Sequence, residues 1–310
     1  MRHKWLILGL AALAVAAPHA QAAPPLAPPP QVVVSIKPVH SLIAGIMAGV
    51  GTPTLIVNGA ASPHTYALRP SDARALAAAK LVFWIGPSME SFLVKPLAAL
   101  SGGAEVVELD HAAGVTVLRA REGGVWEPDA DAPPLAGTDT IDGHLWLDIG
   151  NARAIVRVAV ARLAALDPAN AERYGANARD FEAKLDALDQ EMRADFFPLA
   201  GRPFVVFHDA YQYLEHRYAL DIVGAISVDP DRPIGARRIA EIRAKLVSSG
   251  AHCVYGEPQF TPALLATVTD GTGARAGTLD DLGTGLPDGP GLYFSLMRNI
   301  AGALSDCLAR

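Results

Sequence analysis

The strongest constraint on the fold is an alternation of short apolar runs with helical patterns, which occurs twice along the chain. The runs are QVVVSI at 31–36, TLIV at 54–57, LVFWIG at 81–86, FVVFHD at 204–209, IVGAIS at 222–227 and CVYGE at 253–257. Strands that alternate with helices are typical of a parallel sheet with helices on both faces. The sequence therefore predicts an α/β fold with two parallel-sheet lobes.

One long helical pattern, 169–197, separates the two blocks. Its apolar residues recur at spacings of three, four and seven, as expected for a single buried stripe; they are Tyr174, Phe181, Leu185, Leu188, Met192 and Phe196. A helix of this length would run about 40 Å, longer than one small lobe needs. We therefore assign 32–168 to an N-terminal lobe, 169–197 to a rigid linking helix and 198–310 to a C-terminal lobe.

The first residues predict export. Residues 1–22 combine a basic start, an apolar run and small residues at Ala20 and Ala22, which is the pattern of a secretory signal peptide. The apolar run is too short to span a bilayer, so we expect cleavage near Ala22; an uncleaved N-terminal anchor is the alternative. Residues 23–31 follow as a proline-rich leader.

The net charge argues against one class of function, nucleic-acid binding, and the cysteine content predicts one disulfide. The net charge is −6 at pH 7, so the chain has no electrostatic reason to bind nucleic acid. Cys253 and Cys307 are its only cysteines, and an even pair in an oxidising compartment predicts one disulfide. Thiolate metal ligands are the alternative, although the pair lacks CxxC spacing.

Four polar segments place candidate ligands at or just beyond a predicted strand end. His64 lies in SPHTYALRPSD after TLIV, His144 opens HLWLD after an acidic loop at 112–143, and His208 closes FVVFH. Asp280 follows the short strand-like GARAGTL. Because ligands of parallel α/β sheets bind outside the carboxyl ends of the strands, these residues are candidates for one shared site.

The motifs HTYALRPSD, GHLWLD, FHDAYQYLE, EPQFTPALL and GTLDDLG occur in this order along the chain. In these motifs, from Val32 to Leu308, the sequence resembles the zinc-uptake (ZnuA-type) branch of the metal-binding cluster of ABC-transporter solute-binding proteins. The resemblance implies two lobes joined by a rigid helix, with zinc bound in the cleft between them. His64 and His144 would come from the N-terminal lobe and His208 from the C-terminal lobe, with Asp280 or water as the fourth ligand.

The same resemblance implies a role in transport rather than catalysis. It predicts a periplasmic protein, not an enzyme, that captures Zn²⁺ as its transported ligand and delivers it to the membrane permease of an ABC transporter. We expect a monomer, with a metallochaperone that loads the site as a further partner.

The donor types agree with zinc. Zinc favours imidazole nitrogen in a tetrahedron, whereas manganese prefers more carboxylate and water. A manganese or iron carrier of the same fold is therefore one alternative, and ligand type alone does not exclude copper or nickel. A ligating histidine usually donates its other N–H to a carboxylate or carbonyl, for which Asp209, Glu257 and Asp148 are nearby candidates.

Three histidines with an open fourth position would also suit a zinc-dependent hydrolase, with Glu257 or Asp209 as general base. No H-E-x-x-H or similar hydrolase signature occurs in the sequence, which favours the binding protein. Arg69 is expected to have a structural role, because no chemistry at the site demands it.

Two features depart from the zinc branch. Ser62 stands where many members carry an acidic residue, which removes one candidate fourth ligand. The loop at 112–143 contains no histidine, whereas many members have a loop crowded with histidine and acidic residues there. The acidic side chains of this loop can attract cations weakly, but it lacks the imidazoles of a second tight zinc site.

Overall fold

The computed structural model describes residues 28–100, 103–121, 140–227, 234–259 and 262–309. The predicted signal peptide at 1–22, its cleavage site and most of the leader lie outside these residues, as does the middle of the acidic loop. Within the described ranges, no helix combines the length and the apolar character needed to cross a membrane.

The N-terminal lobe is built on a four-stranded sheet in which neighbouring strands are parallel. Its strands are β1 (Val32–Val34), β2 (Thr54–Leu55), β3 (Leu81–Trp84) and β4 (Glu105–Glu108), in the spatial order β2-β1-β3-β4. Its helices are α1 (Lys37–Ile46), α2 (Pro70–Ala78), α3 (Val94–Leu100) and α4 (Ile149–Leu166). Every residue of β1 and β3 is buried, as expected for central strands covered on both faces.

Helix α5 (Ala171–Phe196) links the two lobes. The six apolar residues of its predicted stripe are all buried, so one face of the helix lies against the interior along its whole length. With 26 residues the helix is about 39 Å long. It packs against α1 and α4 of the first lobe and against the C-terminal helix α9 (Leu292–Leu308).

The C-terminal lobe repeats the parallel arrangement. Its strands are β5 (Pro203–His208), β6 (Asp221–Ser227), β7 (Cys253–Gly256) and β8 (Arg275–Thr278), in the order β6-β5-β7-β8. Its other helices are α6 (Gln212–Tyr218), α7 (Ala236–Ser249) and α8 (Pro262–Thr269). The two parallel sheets and the helix between them confirm the predicted two-lobe α/β fold, while the lobe boundaries assigned from the sequence stay predictions.

The two lobes pack directly against each other. One apolar cluster runs through both, from Val34 on β1 to Leu304 on α9. Near the cleft, the indole Nε1 of Trp146 donates to the carbonyl of Asp281 at 2.9 Å. The hydroxyl of Tyr293 donates to the carbonyl of Trp146 at 2.7 Å. Buried contacts of this kind hold the carboxyl ends of the two sheets face to face.

A disulfide joins Cys253, at the start of β7, to Cys307 in α9. Both cysteines are buried, and their Cα atoms are 6.2 Å apart. The bond confirms the predicted pairing and rules out the alternative in which the two thiols are metal ligands. It fastens the last helix of the chain to the sheet of the C-terminal lobe.

Replacing both cysteines, as Cys253→Ala with Cys307→Ala, is expected to lower the free energy of unfolding by about 4 kcal/mol, because the bond closes a loop of 54 residues in the unfolded chain. Urea unfolding of the oxidised parent and the double variant measures the difference. A loss below about 1 kcal/mol would show that this loop closure does not stabilise the fold.

Candidate metal centre

Three histidines that are far apart in the sequence meet in the cleft between the lobes. The Nε2 atom of His144 lies 3.4 Å from Nε2 of His64 and 3.1 Å from Nε2 of His208. The ring centroids are 5.0 to 5.6 Å apart. His144 and His208 are buried and His64 is half-buried. The structure therefore brings the three sequence-predicted histidines to one point that all three can reach with one nitrogen.

A buried carboxylate orients His144. The Nδ1 of His144 donates to Oδ1 of Asp142 at 2.7 Å, and the backbone N–H of His144 donates to the same oxygen at 3.0 Å. From the other lobe, the hydroxyl of Tyr213 on α6 donates to the carbonyl of Asp142 at 2.7 Å. With Nδ1 engaged in this way, the Nε2 of His144 faces the other two imidazoles.

His208 is oriented in the same manner from the second lobe. Its Nδ1 lies 2.7 Å and 2.6 Å from the two carboxylate oxygens of Glu257, which follows the neighbouring strand β7. Glu257 is 5% exposed, so this ion pair is almost fully removed from water. A carboxylate on the far nitrogen fixes both the ring orientation and the nitrogen that is available to a metal.

His64 is placed by a short turn rather than by a carboxylate. Its backbone N–H donates to the hydroxyl of Ser62 at 3.3 Å. The segment that follows is held by Tyr66, whose hydroxyl donates to a carboxylate oxygen of Asp72 at 2.9 Å. The guanidinium of Arg69 lies over the Tyr66 ring, 5.5 Å from its centroid, a contact that agrees with the structural role expected for Arg69.

The three imidazoles differ in protonation. Burial lowers the pKa of His64 and of His144 well below the ordinary histidine value, and the neighbouring imidazoles lower both further. Burial would also lower the pKa of His208, but the Glu257 carboxylate outweighs it and raises that pKa to about 9. Of these three imidazoles, the one of His208 is therefore the imidazolium at pH 7 in the metal-free protein. Its Nε2–H points at the unprotonated Nε2 of His144.

A sequence model described as ZnuA, zinc-uptake complex component A, periplasmic, matches residues 32–307. The high-affinity zinc uptake system protein ZnuA of Brucella suis is 45% identical over 306 residues, covering 90% of this chain and 92% of that protein. The protein of the same name from Yersinia pestis is 36% identical over 289 residues, covering 89% and 91%. The chain belongs to the ZnuA family.

The structural comparison agrees with the assignment to the ZnuA family. A crystal structure of ZnuA superposes with a TM-score of 0.76 at 25% sequence identity, covering 89% of this chain and 98% of that chain. The family resemblance expected from the sequence motifs is thereby confirmed, and with it the two-lobe fold.

The structure places Asp280 and its neighbour Asp281 differently relative to the three histidines. Asp280 turns into its own loop, where its oxygens accept from the backbone N–H groups of Leu282, Gly283 and Thr284 at 2.7 to 3.1 Å. Its oxygens are not among the ligand atoms that the structure groups with the three imidazoles. The next residue, Asp281, is 3% exposed and lines the cavity beside His64 and His208.

Of the three expected histidine partners, only Glu257 supports a ligand candidate. The carboxylate of Asp209 binds Arg121, with Nε to Oδ2 at 3.0 Å. Asp148 caps α4 and binds Arg217 at 2.8 Å. Sequence reasoning missed Asp142 as the partner of His144; the signal for it was an acidic residue two positions before the histidine.

Changing Glu257→Gln is expected to lower the pKa of His208 from about 9 to the ordinary histidine value of about 6.5 or below, because burial then acts without the opposing carboxylate. NMR titration of the imidazole signals in the metal-free protein measures this pKa. The remote, exposed Glu191→Gln is the control. A His208 pKa that stays near 9 in Glu257→Gln would contradict the assigned ion pair.

Proposed function

We propose that this chain binds Zn²⁺ through Nε2 of His64, His144 and His208 and delivers it to the membrane permease of an ABC transporter. The observation that carries the proposal is the spacing of the imidazole nitrogens. For zinc–nitrogen bonds of about 2.05 Å, tetrahedral geometry requires ligand atoms roughly 3.3 Å apart. The two Nε2–Nε2 distances, 3.1 and 3.4 Å, match this requirement with little rearrangement.

The donor set supports zinc over the alternative cations. Three imidazoles suit zinc, whereas manganese and iron carriers would be favoured by more carboxylate ligands. Two of the three imidazoles are unprotonated in the metal-free protein and offer a lone pair at neutral pH. His208 must release its Nε2 proton when the metal binds, which makes the affinity dependent on pH.

Asp281 is the carboxylate that we assign to the fourth side of the ion, in place of Asp280. It lies in the same cavity as His64 and His208, and its charge helps to raise the pKa of His208. Burial raises the pKa of Asp281 itself to about 7. A carboxylate beside three neutral imidazoles reduces the charge of the loaded site and stabilises the dication.

Capture and delivery, rather than hydrolysis, fit the surroundings of the histidines. The two side chains considered as general bases are both engaged, Glu257 with His208 and Asp209 with Arg121. Neither carboxylate is therefore available to activate a water molecule.

We assign the protein to the periplasm as a monomer, with the signal peptide removed near Ala22. The permease is its main partner, and a metallochaperone that loads the site is a further one.

Each of the substitutions His64→Ala, His144→Ala and His208→Ala is expected to weaken zinc binding by more than about 100-fold, beyond the 10- to 100-fold loss that follows removal of an outer partner. Competition with a chromophoric chelator measures the affinity. His252→Ala is the matched control, because this exposed histidine lies at the opposite end of β7 from Glu257. Wild-type affinity in any of the three variants would remove that residue from the ligand set.

Asp281→Ala is expected to weaken zinc binding about 10-fold with little loss of stability. Asp280→Ala should do the reverse, lowering the free energy of unfolding by about 1–2 kcal/mol because its loop loses side-chain caps. Parallel chelator competition and urea unfolding separate the two roles. A larger loss of zinc affinity in Asp280→Ala than in Asp281→Ala would reverse the assignment.

A further inference from the structure

Two short stretches at the base of the acidic loop pair to form an arm, residues 118–121 and 140–142. The backbone N–H of Ala120 donates to the carbonyl of Thr140 at 2.9 Å, and that of Asp142 donates to the carbonyl of Leu118 at 2.9 Å. By its sequence position the arm belongs to the N-terminal lobe. Arg121 lies in the first of these two stretches, and its side chain reaches across the cleft to the C-terminal lobe.

We propose that Arg121 is a positioning residue that clamps the two lobes together beside the three histidines. Its guanidinium contacts both oxygens of Asp209, with Nε to Oδ2 at 3.0 Å and Nη2 to Oδ1 at 2.5 Å. The remaining nitrogen, Nη1, donates to Oε2 of Glu215 on α6 at 2.7 Å. One side chain of the first lobe therefore binds two carboxylates of the second.

The contacts are shielded from water. The side chains of Arg121, Asp209 and Glu215 are 17%, 7% and 20% exposed. Charge-assisted bonds of a planar guanidinium to two carboxylates combine strength with a defined direction. Such bonds count for little on an exposed surface, whereas this burial favours one fixed geometry.

The arm is connected to two of the three histidines. Asp209 directly follows His208 on the chain, so the guanidinium holds the backbone turn from which this imidazole projects. In the second stretch of the arm, Asp142 accepts the hydrogen bond from Nδ1 of His144. Tyr213 on α6 binds both stretches of the arm. Its hydroxyl accepts from the backbone N–H of Leu118 at 3.0 Å and donates to the carbonyl of Asp142.

Two effects of Arg121 on a cation oppose each other. Its positive charge disfavours zinc nearby, and loss of that charge alone would strengthen binding. The hydrogen bonds of its planar guanidinium hold the imidazoles in place, and loss of these bonds would weaken zinc binding. We expect the positioning effect to dominate, because the guanidinium charge is already compensated by two carboxylates in contact with it.

The test measures zinc release to an excess of chelator from the wild type, Arg121→Lys and Arg121→Ala. Lysine keeps the charge but lacks the planar fork, so both variants should release zinc about 10-fold faster than the wild type. Arg298→Ala is the matched control: Arg298 also binds one carboxylate, Glu191, through Nε and Nη2, but at an exposed pair between α5 and α9. It should release zinc at the wild-type rate.

A spectroscopic readout separates positioning from general stability. The ligand-field absorption of the Co²⁺-loaded protein reports ligand geometry rather than stability, and it should change in Arg121→Lys but not in Arg298→Ala. Wild-type release and spectrum in Arg121→Lys would overturn the proposal. Tighter binding in Arg121→Ala, with Arg121→Lys unchanged, would also overturn it and leave a charge effect only.

This proposal rests on the proposed zinc function, but the two can fail separately. If the wild type binds zinc tightly and the Arg121 variants match it, only the clamp is wrong. If the wild type binds no zinc, the proposed function is wrong, and the imidazole NMR signals of His144 and His208 in the metal-free protein decide on the clamp. Signals that shift in Arg121→Lys but not in Arg298→Ala would support it, and unchanged signals would overturn it.

Discussion

The site depends on two buried contacts between an imidazole and a carboxylate: the hydrogen bond of His144 to Asp142 and the ion pair of His208 with Glu257. Each carboxylate holds Nδ1 of its imidazole at 2.6 to 2.7 Å and thereby turns Nε2 toward the shared point. Buried carboxylates are costly unless they are paired, so each contact stabilises the protein only in the geometry that a metal requires. Folding therefore also orients the imidazoles of His144 and His208 for a metal. His64, the third imidazole, is positioned by a turn and has fewer contacts that fix its orientation.

The lobes supply the frame for these contacts. Parallel sheets place loops at the carboxyl ends of their strands, and two such edges facing each other create a cleft with ligands on both sides. The long helix α5, the apolar cluster shared by the lobes and the Trp146–Asp281 hydrogen bond connect the two edges. We expect only modest closure of the lobes on zinc, because the imidazole nitrogens already lie near their bonded positions.

Much of this arrangement could be predicted from the sequence, because strand–helix alternation, the apolar stripe of α5 and the histidines at strand ends are local patterns. What could not be predicted depends on side-chain direction and on distant pairing. Asp280 and Asp281 are adjacent, and only the turn that Asp280 caps shows that Asp281 faces the cavity. Similarly, 88 positions separate Arg121 from Asp209, and no periodicity links them.

X-ray absorption at the zinc edge of protein loaded with one equivalent of metal tests the central claim most directly. Three imidazole ligands predict nitrogen or oxygen neighbours at about 2.0–2.1 Å, with the multiple-scattering pattern of three rings and no sulfur. A spectrum dominated by sulfur at about 2.3 Å, or one with a single imidazole among oxygen ligands, would contradict the account.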